Sequence, residues 1–181
     1  MEKSRRTFIK KTAAASSATF LAPSIVSSSV FGANDRINAA VLGINGRGKN
    51  HISGLMNQKN VQVTTLCDPD LNLLNTRQKE FKNKYKKEVS LEQDLRRVMD
   101  DKDIDVVSIA SPNHWHALSV IWACQAGKDV YVEKPGSHNI FEGRKMVEAT
   151  HKYDRIVQHG VQLRSSPAIN EAIGLLRDGY I

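Results

Sequence analysis

A glycine-rich turn, Gly43-Ile44-Asn45-Gly46-Arg47-Gly48, follows directly on the apolar run Ile37-Asn38-Ala39-Ala40-Val41-Leu42. A second apolar run, Val61 to Cys67, ends in an acid, Asp68. Few patterns restrict a chain this much. A strand that feeds a tight glycine turn opens into a helix, and the bare N–H groups and positive dipole end of that helix suit a pyrophosphate. An acid at the end of the next strand can accept hydrogen bonds from ribose hydroxyls. The pattern predicts a dinucleotide site lined by Gly43, Asn45, Gly46, Arg47, Gly48 and Asp68. Asn45 stands where the middle glycine of Gly-x-Gly-x-x-Gly normally lets the backbone approach the pyrophosphate. Asparagine tolerates left-handed backbone better than most residues, and Gly46 adjoins it, so the turn is expected to survive.

Strand-like and helix-like segments alternate along the rest of the chain. Strands are expected at Ile37–Leu42, Val61–Cys67, a short stretch at Val89, residues 105–110, residues 129–132 and residues 155–159. Helices are expected from the glycine turn to residue 57, over 70–86, around Leu91, Leu95, Val98 and Met99, over 114–126 with Gly127 beyond its end, and over 141–153. A last helix carries Ile169, Ala172, Ile173 and Leu176 on one side, with Gly179 as its cap. This βαβα order places the chain in the α/β class, with a doubly wound, mostly parallel sheet covered on both faces. The 181 residues suffice for one well-buried core and the start of a second domain. The expected boundaries are 1–33 for an export signal, 34–160 for the nucleotide domain, and 161–181 for a connection and first helix towards a further domain.

The formal charge of +7 does not point to nucleic acid. Lys3, Arg5, Arg6, Lys10 and Lys11 stand against Glu2 alone in the first 33 residues, so much of the excess lies there. The basic residues from Arg77 to Lys87 are read as the wet face of a helix whose inner face is Leu71, Leu74, Gln78, Phe81 and Tyr85. Cys67 and Cys124 lie in apolar runs and are expected as free core thiols. Ser4-Arg5-Arg6-Thr7-Phe8-Ile9-Lys10 matches the twin-arginine export pattern, which implies the twin-arginine machinery as a partner and a periplasmic destination. The apolar stretch that follows is diluted by serines and broken by Pro23, so no stable membrane anchor is expected.

Ligands of such sheets bind beyond the carboxyl ends of the strands. Ser111-Pro112-Asn113-His114-Trp115-His116 follows one strand, Glu133-Lys134-Pro135-Gly136 the next, and Gln162 and Arg164 the last. Each has a plain structural reading: Asn113 as an N-cap, Trp115 as packing, Glu133 and Lys134 as a surface ion pair. His114 and His116, two apart at a helix start, point in different directions, so no metal site is expected.

Taken together, Gly-x-Asn-Gly-Arg-Gly, Ser-Pro-Asn-His-Trp-His and Glu-Lys-Pro, in this order and spacing, resemble the glucose–fructose oxidoreductase/inositol dehydrogenase (Gfo/Idh/MocA) family over about residues 36 to 181. The resemblance implies a Rossmann domain, NAD or NADP, and sugars, polyols or their derivatives as substrates. It places Arg47 and Gly48 at the pyrophosphate and Asp68 on the adenosine ribose. Asn113, His114, Trp115 and His116 should run along the nicotinamide half, with Glu133 and Gln162 nearby. Lys134 should face the nicotinamide ribose and the substrate as the proton-transfer or polarising group, with Arg164 a second candidate at the substrate. The Lys134–Pro135 bond is a candidate cis peptide. NAD is favoured over NADP, because Asp68 would repel a 2′-phosphate and no arginine follows it directly; Arg47 is the one residue that could blur this. The resemblance also implies a second, antiparallel-sheet domain largely absent from these residues. The chain alone is therefore expected to bind nucleotide without turning over, and any homo-oligomer would form through that domain.

Three functions follow. The leading one is an exported nicotinamide-dependent oxidoreductase acting on a sugar-type hydroxyl. The second, also implied by the resemblance, is a glycosidase that oxidises its substrate transiently, eliminates, hydrates and re-reduces. The third is a nucleotide-bound protein without catalysis, since fold does not dictate function.

Overall fold

The computed structural model describes residues 36–180. The twin-arginine motif and the apolar stretch after it lie outside the described residues. The strands are β1 (Ile37–Leu42), β2 (Val61–Cys67), β3 (Ser90–Glu92), β4 (Val106–Ile109), β5 (Asp129–Glu133) and β6 (Val157–Gly160). They form one sheet in the order β3-β2-β1-β4-β5-β6, every pairing parallel. The helices are α1 (Gly46–Met56), α2 (Leu71–Tyr85), α3 (Leu95–Asp100), α4 (His116–Gln125), α5 (Ile140–Tyr153) and α6 (Pro167–Arg177). Two 3-10 turns, Asn113–Trp115 and Gln162–Ser165, stand before α4 and α6.

Successive side chains of a strand point to opposite faces, and β1 shows how that layers the chain. Val41 joins Ile52 of α1 and Leu74 and Phe81 of α2 in one buried cluster. Its neighbours Ala40 and Leu42 join Val98 of α3, Val120 and Ala123 of α4 and Met146 of α5 in the other. A strand buried on both sides reads as a continuous apolar run, as residues 39–42 do. The order reverses between β1 and β4, so the carboxyl ends of these two strands flank the switch point where such sheets bind ligands.

Local signals set the helix ends. Asp70 caps α2 by accepting from the amides of Asn72 and Leu73. Asp94 caps α3, and Asn139 caps α5 by accepting from Glu142. Gly127 and Gly179 take positive φ after α4 and α6.

Four expectations need correction. Leu91 belongs to β3, not to the helix, because residues 90–92 pair with Thr65–Cys67 as the sheet edge. Leu71 is exposed, being at the first turn of α2 and beyond the reach of the core. Arg77 is buried, although the neighbouring basic residues are wet. α6 forms as expected but buries none of its residues among those described. Cys67 and Cys124 are free and buried; burial, helped by the acids around it, pushes the Cys67 thiol up to about 12. Among the described residues no helix is long and apolar enough to cross a membrane.

Candidate functional site

The turn after β1 is made almost entirely of backbone. Gly43 and Gly46 hold positive φ. A Cβ on Gly43 would lie 2.6 Å from the Ser111 amide nitrogen, and one on Gly48 would lie 1.9 Å from the Gly43 carbonyl oxygen. Asn45, by contrast, is extended (φ −85°, ψ −174°). Its tolerance of left-handed backbone is therefore not called upon; the two glycines on either side carry that conformation. One residue, Ile44, anchors the turn. The Ile44 amide donates to Asp68 Oδ2 at 3.1 Å, and its carbonyl accepts from Arg77 Nε at 3.1 Å. Arg77 also pairs with Glu80. Sequence reasoning put Arg77 on the wet face, yet it falls between Leu74 and Phe81 at helical spacing, on the buried stripe.

A cleft of about 1060 Å³ opens beyond this turn, lined by Asn45, Arg47, Asp68, Leu95, Trp115 and Trp122 among others. Its chemistry fits a dinucleotide. The first turn of α1 contains no acid, and Asn45 makes no side-chain cap, unlike the caps of α2, α3 and α5. The amide end of α1 is thus left to an outside anion. Ser111 and Ser119 line the cleft, and their hydroxyls are buried without a hydrogen-bond partner among the described residues. Arg96 lines it too, but its guanidinium is occupied by the Asp94 carboxylate, which holds Asp94 at about 2.

The far rim, at the ends of β5 and β6, is built from side chains. Glu133 is buried, and its Oε1 accepts from Arg47 Nε at 2.6 Å, from His51 Nε2 at 3.3 Å and from Gln162 Nε2. Its Oε2 accepts from the Lys134 amide at 2.9 Å. Burial alone would push the Glu133 carboxyl up, but the hydrogen bonds from Arg47, the Lys134 amide and His51 together overcome it and hold the group at about 2. His51 Nδ1 bonds Ser108 Oγ at 2.9 Å, and its ring stands edge-on to Tyr131. Burial lowers the His51 pKa, against the pull of Glu133. Gly160 lets this knot close, since a Cβ there would lie 2.6 Å from the Tyr131 hydroxyl. His51, Ser108 and Tyr131 were not foreseen, although His51 lies one helical turn beyond Arg47 and so on its face.

The structure thus splits the expected residues. Gly43, Asn45, Gly46, Arg47, Asp68 and Trp115 line the cleft, with Gly48 buried behind the turn. Glu133 and Gln162 form the knot, and Arg47 joins the two groups. Trp115 is exposed and lines the same cleft as Asp68. Lys134 is exposed at the rim, followed by a cis bond to Pro135. Asn113 is half-buried and His114 exposed. His116 is 1% exposed, with both ring nitrogens bonded to backbone carbonyls, so it presents nothing to a ligand. Arg164 is exposed in the turn Gln162–Ser165 and forms no ion pair among the described residues.

Known proteins share this arrangement. A model of an oxidoreductase family with an NAD-binding Rossmann fold matches residues 37–161. Levoglucosan dehydrogenase of Pseudarthrobacter phenanthrenivorans is 36% identical over 88 residues, 49% of this chain and 23% of its own length. A glycosyl hydrolase family 109 protein of Shewanella sp. (strain ANA-3) is 26% identical over 110 residues, 59% of this chain and 24% of its own. The crystal structure of myo-inositol 2-dehydrogenase from Lactobacillus plantarum superposes with a TM-score of 0.69 at 26% identity, over 81% of this chain and 42% of that one. The chain therefore spans less than half the length of these relatives. The match over residues 37–161, well over half of the chain, shows that the chain belongs to the Gfo/Idh/MocA family of oxidoreductases.

Proposed function

We propose that the complete protein is a nicotinamide-dependent oxidoreductase that removes a hydride from a hydroxyl of a sugar, polyol or glycoside. The observation that carries this reading is the crevice itself. A turn in which any side chain at 43 or 48 would strike backbone, an α1 terminus left uncapped, and Asp68 at the end of β2 meet at the switch point of a parallel sheet. Bound NAD would supply the hydride acceptor. Asp68 accepts one amide bond on each oxygen, from Ile44 and from Asp70, and keeps lone pairs for ribose hydroxyls. The same carboxylate disfavours a 2′-phosphate, and Arg96, which also lines the cleft, is paired with Asp94 through Nε and Nη2. Removing a hydride from an alcohol also releases a proton, which needs a base within hydrogen-bond reach. Lys134 takes that role: Glu133 fixes its backbone while its side chain remains exposed at the rim.

Titration of the chain with NAD and with NADP, followed by fluorescence of the two tryptophans, tests the cofactor site. NAD should bind at least about tenfold tighter than NADP. Preference for NADP, or binding of neither, would overturn the reading. The Shewanella relative favours a second version of the chemistry, in which the hydroxyl is oxidised and re-reduced within one turnover of a hydrolase. Steady NADH production from a free sugar by the complete protein excludes that version; glycoside cleavage without net NADH supports it. We further propose export by the twin-arginine route, on the strength of Ser4-Arg5-Arg6-Thr7-Phe8-Ile9-Lys10. Replacement of Arg5 and Arg6 by Lys should retain the protein in the cytoplasm on cell fractionation; unchanged export would refute it.

A further inference from the structure

His116 opens α4, directly after the turn Asn113–Trp115, and its ring is closed off from solvent. Its Nε2 lies 2.8 Å from the Ser111 carbonyl oxygen and its Nδ1 lies 2.7 Å from the Pro135 carbonyl oxygen. The two carbonyls belong to different loops. One follows β4 and carries Asn113; the other follows β5 and carries Lys134. Ser111 lines the cleft, whereas Pro135 does not. The ring therefore bridges the wall of the nucleotide cleft to the rim that carries Lys134.

Each ring nitrogen thus lies within hydrogen-bond distance of a carbonyl of a different loop, and the ring packs between the two out of reach of water. Resting on the oxidoreductase reading, we propose that His116 is a positioning residue whose buried ring ties the Ser111–Asn113 loop to the Lys134–Pro135 turn, so that the nicotinamide half of the site is held as one piece. The β4–β6 half of a doubly wound sheet receives the second mononucleotide, so the tie should matter to the nicotinamide and not to the adenosine end.

The test uses the 181-residue chain and two ligands, NAD and ADP-ribose. His116→Phe keeps a ring but no donor and should weaken NAD about tenfold while ADP-ribose stays within about twofold; His116→Gln, which can still donate to one carbonyl, should fall between. Equal loss of both ligands, or no change in either, would overturn the positioning role. If His116→Phe does not fold, the ligand split of His116→Gln decides. Failure of the unaltered chain to bind NAD and ADP-ribose alike would sink the oxidoreductase reading; amide hydrogen exchange at Asn113 and Gly136, expected to quicken at both in His116→Gln, would still judge the tie, and unchanged exchange at either would overturn it.

Discussion

The two ends of the crevice solve different problems with different materials. The glycine turn is backbone packed against backbone, with Ile44 gripped by Asp68 and Arg77, and it leaves the start of α1 without a side-chain cap. The β5–β6 rim is a knot of polar side chains around Glu133 in which every named donor is already committed. The first is a socket and tolerates no added atoms at Gly43 or Gly48. The second is a scaffold and tolerates no removed partner. Arg47 belongs to both: it lines the cleft while its Nε is tied to Glu133. The socket therefore senses the state of the scaffold through one guanidinium.

The sharpest way to break this contrast is to add one methyl group to the socket. Gly48→Ala would put a Cβ 1.9 Å from the Gly43 carbonyl, and backbone cannot yield as a side-chain tip can. The expected cost is about 3 kcal/mol or more of stability, read by urea unfolding, with NAD binding weakened at least about 100-fold. Gly54 lies on the same helix and a Cβ there meets nothing within 4 Å. Gly54→Ala should instead gain about 0.5–1 kcal/mol, from helix propensity and a less free unfolded chain. Equal effects at the two positions would remove the distinction between socket and ordinary helix.

The scaffold should break by subtraction. Glu133→Gln leaves three side-chain donors around a neutral amide and should cost about 3 kcal/mol at neutral pH. The pH dependence gives a sharper reading. The folded-state pKa of Glu133, about 2, lies below the ordinary 4.5, so its contribution is complete above pH 4.5 and is lost as pH falls towards 2. About 2 kcal/mol of it should be gone by pH 3. His51 adds loss of the same sign in a higher window, because burial lowers its pKa and its charging below about pH 6.5 opposes folding. Unfolding free energies of the wild type and Glu133→Gln at pH 6 and pH 3 should therefore converge. A constant gap between them would show that the carboxylate is not the centre of the knot.

The socket's support from below gives a smaller effect. Arg77→Met removes the bond to the Ile44 carbonyl and leaves that carbonyl without this donor, at an expected cost of about 1.5–2 kcal/mol and a several-fold loss of NAD affinity. Lys84→Met, on the same helix but exposed, should change neither. If the two variants behave alike, Arg77 is only another basic residue on α2.

These positions also show what the sequence made legible. The turn, Asp68, and the rim residues Glu133 and Lys134 could be read because strand, turn and helix signals fix which residues emerge at the carboxyl end of a parallel sheet. The apolar run of β4 and the end of α4 at Gly127 could be read for the same reason: their causes are local. What depends on distance in the chain did not show. Arg77 reaches 33 residues back to Ile44, and His51 reaches 82 residues forward to Glu133. Either residue, read alone, looks like surface charge on an amphipathic helix. Trp115 and His116 illustrate a further limit. The motif predicts that both line the site, and a 3-10 turn followed by α4 leaves Trp115 on the cleft wall while it buries His116 beneath the loops.

Asn45 provides the mildest and most discriminating test. Its side chain occupies the position at which the pattern normally has glycine, a departure that the sequence alone reads as tolerated through left-handed backbone. Its backbone, however, is extended and exposed, and Gly43 and Gly46 carry the strained conformations. No hydrogen bond from its side chain caps α1, so none is lost on removal. Asn45→Gly should therefore change stability by less than about 0.5 kcal/mol, with the greater freedom of glycine in the unfolded chain working against it, and should leave NAD affinity within about twofold. Calorimetric titration with NAD measures the difference directly. A gain of tenfold would mean that the Asn45 side chain stands between the backbone and the pyrophosphate. The socket would then be partly closed by a side chain, and the contrast between a backbone-built end and a side-chain-built end of this crevice would have to be given up.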